Sequence, residues 1–493
     1  MTMNTPIFVP ARSLPTRLLL TSFISICLLS ACTNNPVIKG ELTTHAIASV
    51  DECQAWLNSL DRQIKKHDAQ YQRVDGLPWL RTDRFWASLK TDDPRAKNAI
   101  YDEQIKKGSE AFLDELFLLG KVDEDDIQQC IQVLAEQGRK QRSYAEVSQT
   151  KDHYSSLKRV LGLYAITKRF ALNGILGYQT ESKQQIDAFN KKLKTGLKSK
   201  DYRHYQFAHL GNKASKAADY KALFDQAYAA TPLAVPQLGS EQLSDLFRLH
   251  APQIVVENAH EDDAIGSIEL SQTGDVVVNN ETPIIYTYPT YTRFKGNNLL
   301  QLNYAFWFPS RPSNDVYGGF LDGILWRVTL DTDASVLLFD SIHQCGCYHK
   351  YFIPESNQQA LSALPWDEKT EPVMILGVND AVSPTLYINS IEHYILAVNE
   401  KANPEFSPAS LNYEMADYGK LNRLQYKDEF VTYRKSLFAS DGLVKGSERI
   451  ERLYFWPLGI KSAGAMRQKG THAIAFVGRR HFDDPFILDE VFK

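Results

Sequence analysis

The sequence is short of the features that usually announce a function. No run of lysine or arginine exceeds a pair, and the whole chain carries a net charge of −4. Phosphate binding needs a concentrated basic face, so nucleic acid is excluded as a partner. There is no Gly-rich phosphate loop, no serine set between glycines, and no His-Glu-x-x-His run. The phosphate-loop, nucleophile-elbow and zinc-protease signatures are therefore missing. No apolar stretch of membrane-spanning length follows Cys32. Acidic residues are absent from the first 17 positions, which hold Arg12 and Arg17 and run into the apolar segment Leu18 to Leu29.

That N-terminal pattern is a secretory signal, with a positive start and an apolar core too short to span a bilayer. It ends in Leu29-Ser30-Ala31-Cys32. Small residues before a cysteine resemble the lipobox of bacterial lipoproteins, and the resemblance covers only this segment. It implies cleavage before Cys32 and acylation of Cys32, and several acyl chains make a durable anchor. Thr33 follows in place of the aspartate that favours inner-membrane retention, so the resemblance points to the outer membrane. Residues 1–31 are read as the signal and 32–45 as a tether.

The mature part is roughly 460 residues, with net charge −6 once Arg12 and Arg17 leave. At 43% apolar and 23% charged, it has the composition of a folded protein too long for one ordinary core. Its texture changes midway. Apolar residues recur at helical spacing from Ser49 to about Lys200, and Asp123 to Asp126 precede the run Ile127 to Leu134 as acids precede a helix start. Beyond about Ser240, β-branched and aromatic runs broken by Gly, Pro and Asn read as strands, among them Leu300 to Phe308 and Ile324 to Leu330. Asp331 to Ala334 is placed as a hairpin turn. Helix is expected again at Thr432 to Leu437 and a strand at Thr471 to Val477. The expected fold is α+β, with a helical domain over 46–235 and a β-rich domain over 236–493.

Four cysteines remain after Cys27 leaves with the signal and Cys32 is lipidated. In an oxidising compartment Cys53 and Cys130, in separate helical stretches, form the first candidate disulfide, with two buried thiols as the alternative.

The densest chemistry lies in Asp340-Ser341-Ile342-His343-Gln344-Cys345-Gly346-Cys347-Tyr348-His349. In an extended strand His343 and His349 would stand about 20 Å apart, so one metal site over His343, Cys345, Cys347 and His349 requires the chain to fold back at Gly346. Thiolates with imidazoles would select zinc or copper. A second reading makes one cysteine a nucleophile with His343 or His349 as its base, suited to a periplasmic hydrolase acting on the cell wall. A third is structural: a Cys345–Cys347 disulfide, or buried thiols.

His472 and His481 are further catalytic candidates, and Arg479 and Arg480 could hold an anion or form a charged network. Arg311, Asp315 and Asp322 lie in a Gly- and Pro-rich loop region where sites often sit. His260 to Asp263 reads as an acidic loop. The strings Asn303 to His349 and Trp456 to Pro485 resemble those of Gram-negative lipoproteins, a likeness that brings no activity to transfer. Two roles stay open: an envelope component that binds a protein or cell-wall partner, and a hydrolase or metal-binding protein.

Overall fold

Residues Leu299 to Phe308 are all buried, and their alternation explains how. Leu299, Ala305 and Trp307 enter one core, while Leu300, Leu302, Tyr304, Phe306 and Phe308 enter a second. A strand whose successive side chains point to opposite faces buries both only where layers pack on both faces of its sheet. The sheet in question has eleven strands. In chain order they are β1 (Tyr202–Phe207), β2 (Gln253–Glu257), β3 (Ile284–Phe294), β4 (Asn297–Arg311), β5 (Gly319–Leu330), β6 (Val336–His343), β7 (Lys350–Pro354), β8 (Met374–Val378), β9 (Thr385–Ile388), β10 (Ile395–Val398) and β11 (Ala409–Asp417).

Across the sheet they run β8-β7-β6-β5-β4-β3-β11-β1-β2-β9-β10. β3 to β7 form an antiparallel meander, whereas β11 pairs in parallel with both β1 and β3. Ala334, φ +68, sits in the turn that joins β5 to β6. This computed structural model describes residues 49–492 apart from 68–72, 75, 121–123, 142–149, 209–216, 362–370 and 429–430. The signal, the tether up to residue 45 and Cys32 lie outside the described residues.

The chain is α+β, with its long helices in the N-terminal region. Helices α1 (Val50–Ile64), α2 (Pro94–Leu116) and α3 (Glu124–Gln141) bury a cluster that includes Leu57, Ile64, Phe112 and Ile131. The starts of α1 and α2 follow from their caps: Ser49 and Asp93 each accept a backbone N–H of the first turn. Glu124, Asp125 and Asp126 occupy the first turn of α3, where the helix dipole favours them. Cys53 on α1 and Cys130 on α3 are joined in a disulfide, with Cα atoms 5.2 Å apart. Two further helices follow, α4 (Ser156–Leu161) and α5 (Tyr164–Thr195).

β1 precedes residue 235 and lies inside the sheet, and the described residues all belong to one compact unit, Gly40–Lys493. Two local expectations are corrected. Thr432–Lys435 is a strand paired with Leu424–Lys427, where Tyr426 stacks on Tyr433. Thr471 to Val477 holds only an isolated bridge, Ala473 to His481. No helix among the described residues is long and apolar enough to cross a membrane.

Candidate functional site

Gly346 takes φ +87, and its N–H donates to His343 O at 2.8 Å. The chain therefore does fold back between the two histidines. It does not bring them together. His343, at the end of β6, lies near Asp322 with Nδ1 3.5 Å from Oδ1, whereas His349 Nε2 sits 3.0 Å from Asp340 Oδ2. Asp322 alternates with Leu321 and Leu325 of the first core, and Asp340 shares the parity of Leu338 and Ile342 in that core. The two histidines thus meet carboxylates on opposite faces of the sheet. Among the described residues no group of three or more His, Cys, Asp or Glu side chains is gathered to hold a metal. The zinc or copper site expected over His343, Cys345, Cys347 and His349 is corrected accordingly.

On the first face the arrangement is a relay. Arg327 of β5 donates from Nε and Nη2 to the two oxygens of Asp340 at 2.8 and 2.6 Å, and from Nη1 to Phe482 O at 2.6 Å. Its guanidinium lies 3.6 Å from the Phe482 ring centre. Burial would raise the Asp340 carboxyl, but the Arg327 charge and the bonds from His349 and Arg327 hold it below its ordinary value. Burial, with the Arg327 and Arg480 charges nearby, outweighs Asp340 and holds His349 below its ordinary value, so its imidazole is neutral near pH 7. An ionised carboxylate only accepts, so the proton sits on Nε2 and the lone pair on Nδ1. Nδ1 is buried and has no hydrogen-bond partner among the described residues.

His349 lines a cavity of about 610 Å³, a size suited to a small ligand. α5 forms one wall, through Phe170, Ile175 and Tyr178 among others, and Cys347, Tyr348, Tyr394 and Arg311 form part of another. Arg311 is buried and makes no ion pair with a described carboxylate. Its Nη2 donates to Tyr394 Oη at 3.1 Å, its Nε has no described partner, and its guanidinium lies 5.2 to 5.8 Å from the rings of Tyr394, Tyr348 and Tyr317. Glu371 and Glu451 also line the cavity, each pushed up to about 7 chiefly by burial.

Cys345 and Cys347 are free thiols. The adjacent Cys345 side chain and burial raise Cys347 well above an ordinary thiol, and Arg467 donates to the Cys345 carbonyl at 2.9 Å. His472 approaches this turn: a Cβ placed on Gly346 would stand 3.6 Å from the His472 Cβ. Burial drives His472 down to about 3. His481 stands apart, its Nε2 accepting from His153 N at 3.4 Å, and burial with Arg84, His153 and Arg479 nearby takes it down to about 2. Arg479 is held by Asp152 and by Ser156 at 2.6 Å. Arg480 lines the cavity and donates to the Glu371 carbonyl.

The second face carries a constellation that sequence reasoning missed. His393 Nδ1 is 2.9 Å from Asp322 Oδ2, and its Nε2 is 3.4 Å from Asp263 Oδ1, an ion-pair distance rather than a directed hydrogen bond. Phe308 stacks on the imidazole at 3.8 Å. Although burial lowers it, the two carboxylates raise His393 overall, so an Asp-His-Asp-His line runs through the buried interior to His343. Asp263 lies in a segment that reads as a loop, and the sequence neighbours of His393, Glu392 and Tyr394, are not the carboxylates it meets.

Family models, curated proteins and solved structures were all compared with the chain, and none matches it.

Proposed function

We propose that the cavity beside His349 is the active site of a hydrolase, carried on the outer membrane by acyl chains on Cys32. The observation that supports the hydrolase most strongly is a neutral imidazole, fixed by the Arg327–Asp340 pair, whose unpartnered Nδ1 belongs to a cavity-lining residue. His349 Nδ1 takes a proton from water as the water oxygen attacks an acyl carbon, and Asp340 stabilises the imidazolium. The leaving group then takes that proton as its bond to carbon breaks. Arg311 holds an anionic group of the substrate. We assign the attack to water because Cys347 is held protonated by burial and its neighbouring thiol.

The test is turnover of acyl esters by the wild type and by His349→Gln. The variant is expected to lose activity by about 10²- to 10⁴-fold with an unchanged circular dichroism spectrum, while Cys347→Ala keeps it. The wild-type rate should fall on acidification with an apparent pKa below 6.5, as the lowered His349 requires. Undiminished turnover in His349→Gln sinks the reading. The anchor rests on the Ala31-Cys32 pattern, and Cys32→Ser should abolish incorporation of labelled palmitate.

A second reading, the binding role, is favoured by Arg311: a buried cation without a described carboxylate partner is the seat for an anionic ligand even where no bond is cleaved.

A further inference from the structure

Apolar side chains crowd the surface around the cavity. Leu157, Val160 and Leu161 of α4, Leu163, and Ile166 and Phe170 of α5 are each more than half exposed, Phe170 at 73%. No residue of α5 before Ser182 is fully buried. Ile450, Leu453 and Tyr454 add a second exposed group. The two groups adjoin, since Arg159 of α4 donates to Leu458 O at 2.8 Å and Gly162 abuts Pro457. Patches of this kind on a monomer mark an interaction site.

Charge identifies the occupant. From Ser155 to Thr180 the sequence has four cations and no Asp or Glu. Arg159 is buried, but Lys158, Lys168 and Arg169 reach the surface, as does Arg452 beside Leu453. None of these four surface cations forms an ion pair with a described residue. An apolar helix face fringed by unpaired cations fits a bilayer with anionic headgroups, into which such a helix sinks to the acyl boundary.

The patch is also continuous with the cavity. Thr167, Phe170, Ala171 and Ile175 of α5 line it, and Tyr454 and Phe455 do so from the other side.

We propose that α4, the first half of α5 and the segment from Ile450 to Trp456 dock on an anionic phospholipid bilayer, and that the cavity receives an acyl chain from it. The docking surface stands on its own observations, whereas the identity of the substrate as an acyl lipid rests on the hydrolase reading above.

The chain from Thr33 onward, which carries neither the signal nor an acylated cysteine, is mixed with vesicles of phosphatidylglycerol or phosphatidylcholine and sedimented. Binding to phosphatidylglycerol is expected, weaker binding to phosphatidylcholine, and at least a tenfold loss of partition in Val160→Ser/Ile166→Ser. Neither residue lines the cavity, so this variant should still cleave a water-soluble short-chain ester. Lys168→Glu/Arg169→Glu should weaken binding to phosphatidylglycerol alone.

No binding to phosphatidylglycerol, or equal binding by the serine variant, overturns the docking surface. A chain that instead forms dimers dispersed by those serines overturns it in favour of self-pairing. His349→Gln should bind vesicles like the wild type. Its vesicle binding with intact ester turnover would overturn the hydrolase and leave the docking surface standing. Ester turnover lost only in His349→Gln, with no vesicle binding by any variant, would do the reverse.

Discussion

The Arg327–Asp340 pair offers the most direct energetic test. Both side chains are at most 2% exposed, and Arg327 makes three directed hydrogen bonds, two to Asp340 and one to Phe482 O. Arg327→Met removes all three and leaves the Asp340 carboxylate buried with only His349 beside it. Asp340→Asn leaves a buried guanidinium without its counter-charge. Each should cost about 3–5 kcal/mol, because a buried charge stripped of its partner keeps its full desolvation penalty.

The double variant removes both charges together, so its cost should fall short of the sum by about 2–3 kcal/mol. Urea unfolding followed by tryptophan fluorescence is a suitable assay, since Trp326 adjoins Arg327 on β5 and Trp307 is buried on the neighbouring β4. Single variants costing under about 1 kcal/mol, or costs that simply add, would refute the idea that these charges depend on each other. Asp340→Asn should also depress ester turnover more than the stability loss explains. An amide can turn its N–H₂ toward the imidazole, and the lone pair would then leave Nδ1 for Nε2.

Two further predictions concern the frame. The Cys53–Cys130 bridge spans 77 residues, and the chain-entropy estimate for a loop of that size is about 4.5 kcal/mol. Cys53→Ala/Cys130→Ala should lower the free energy of unfolding, read from urea curves, by up to that amount, and a change under about 1 kcal/mol would count against the chain-entropy account. His472 is 1% exposed and held down to about 3 chiefly by burial. The unfolded chain protonates near 6.5 and the folded one does not, so stability from His472 is present above pH 6.5 and lost as pH falls. Relative to the wild type, His472→Gln should therefore gain about 2 kcal/mol between pH 7.5 and pH 5. A pH-independent difference between the two melting curves would contradict the burial of a neutral imidazole.

The α+β division was legible because the periods differ: three-and-four spacing in α1 to α3, and two-sided apolar runs in β4 and β5. Gly346 could be identified as the point of reversal because no other residue in the Cys-Gly-Cys string so readily takes φ +87. The partners of the histidines were not legible. Asp340 and His349 belong together because Asp340 faces Tyr351 across the β6–β7 pair, a register no local pattern specifies.

His393 reaches Asp322 over 71 residues, and its site exists only once β5 and the segment before β10 are assembled. Thr432 to Leu437 carried a mixed pattern too short to separate helix from strand, and pairing with Leu424–Lys427 decided it. The apolar face of α5 also misleads, since its spacing implies packing while Ile166 and Phe170 stay exposed.

The place of β1 bears on how the chain must be made. β1 can pair with β2 soon after synthesis, but its other neighbour, β11, begins at Ala409, about 200 residues later. Until then β1 offers an open edge, and the β3 meander has none of its own strands to close that side. The middle of the sheet is therefore the last part to be sealed, and a fragment starting after residue 235 would lack the strand that joins its two wings. Such late, distant closure slows folding and lengthens the time in which an edge can capture a neighbouring chain.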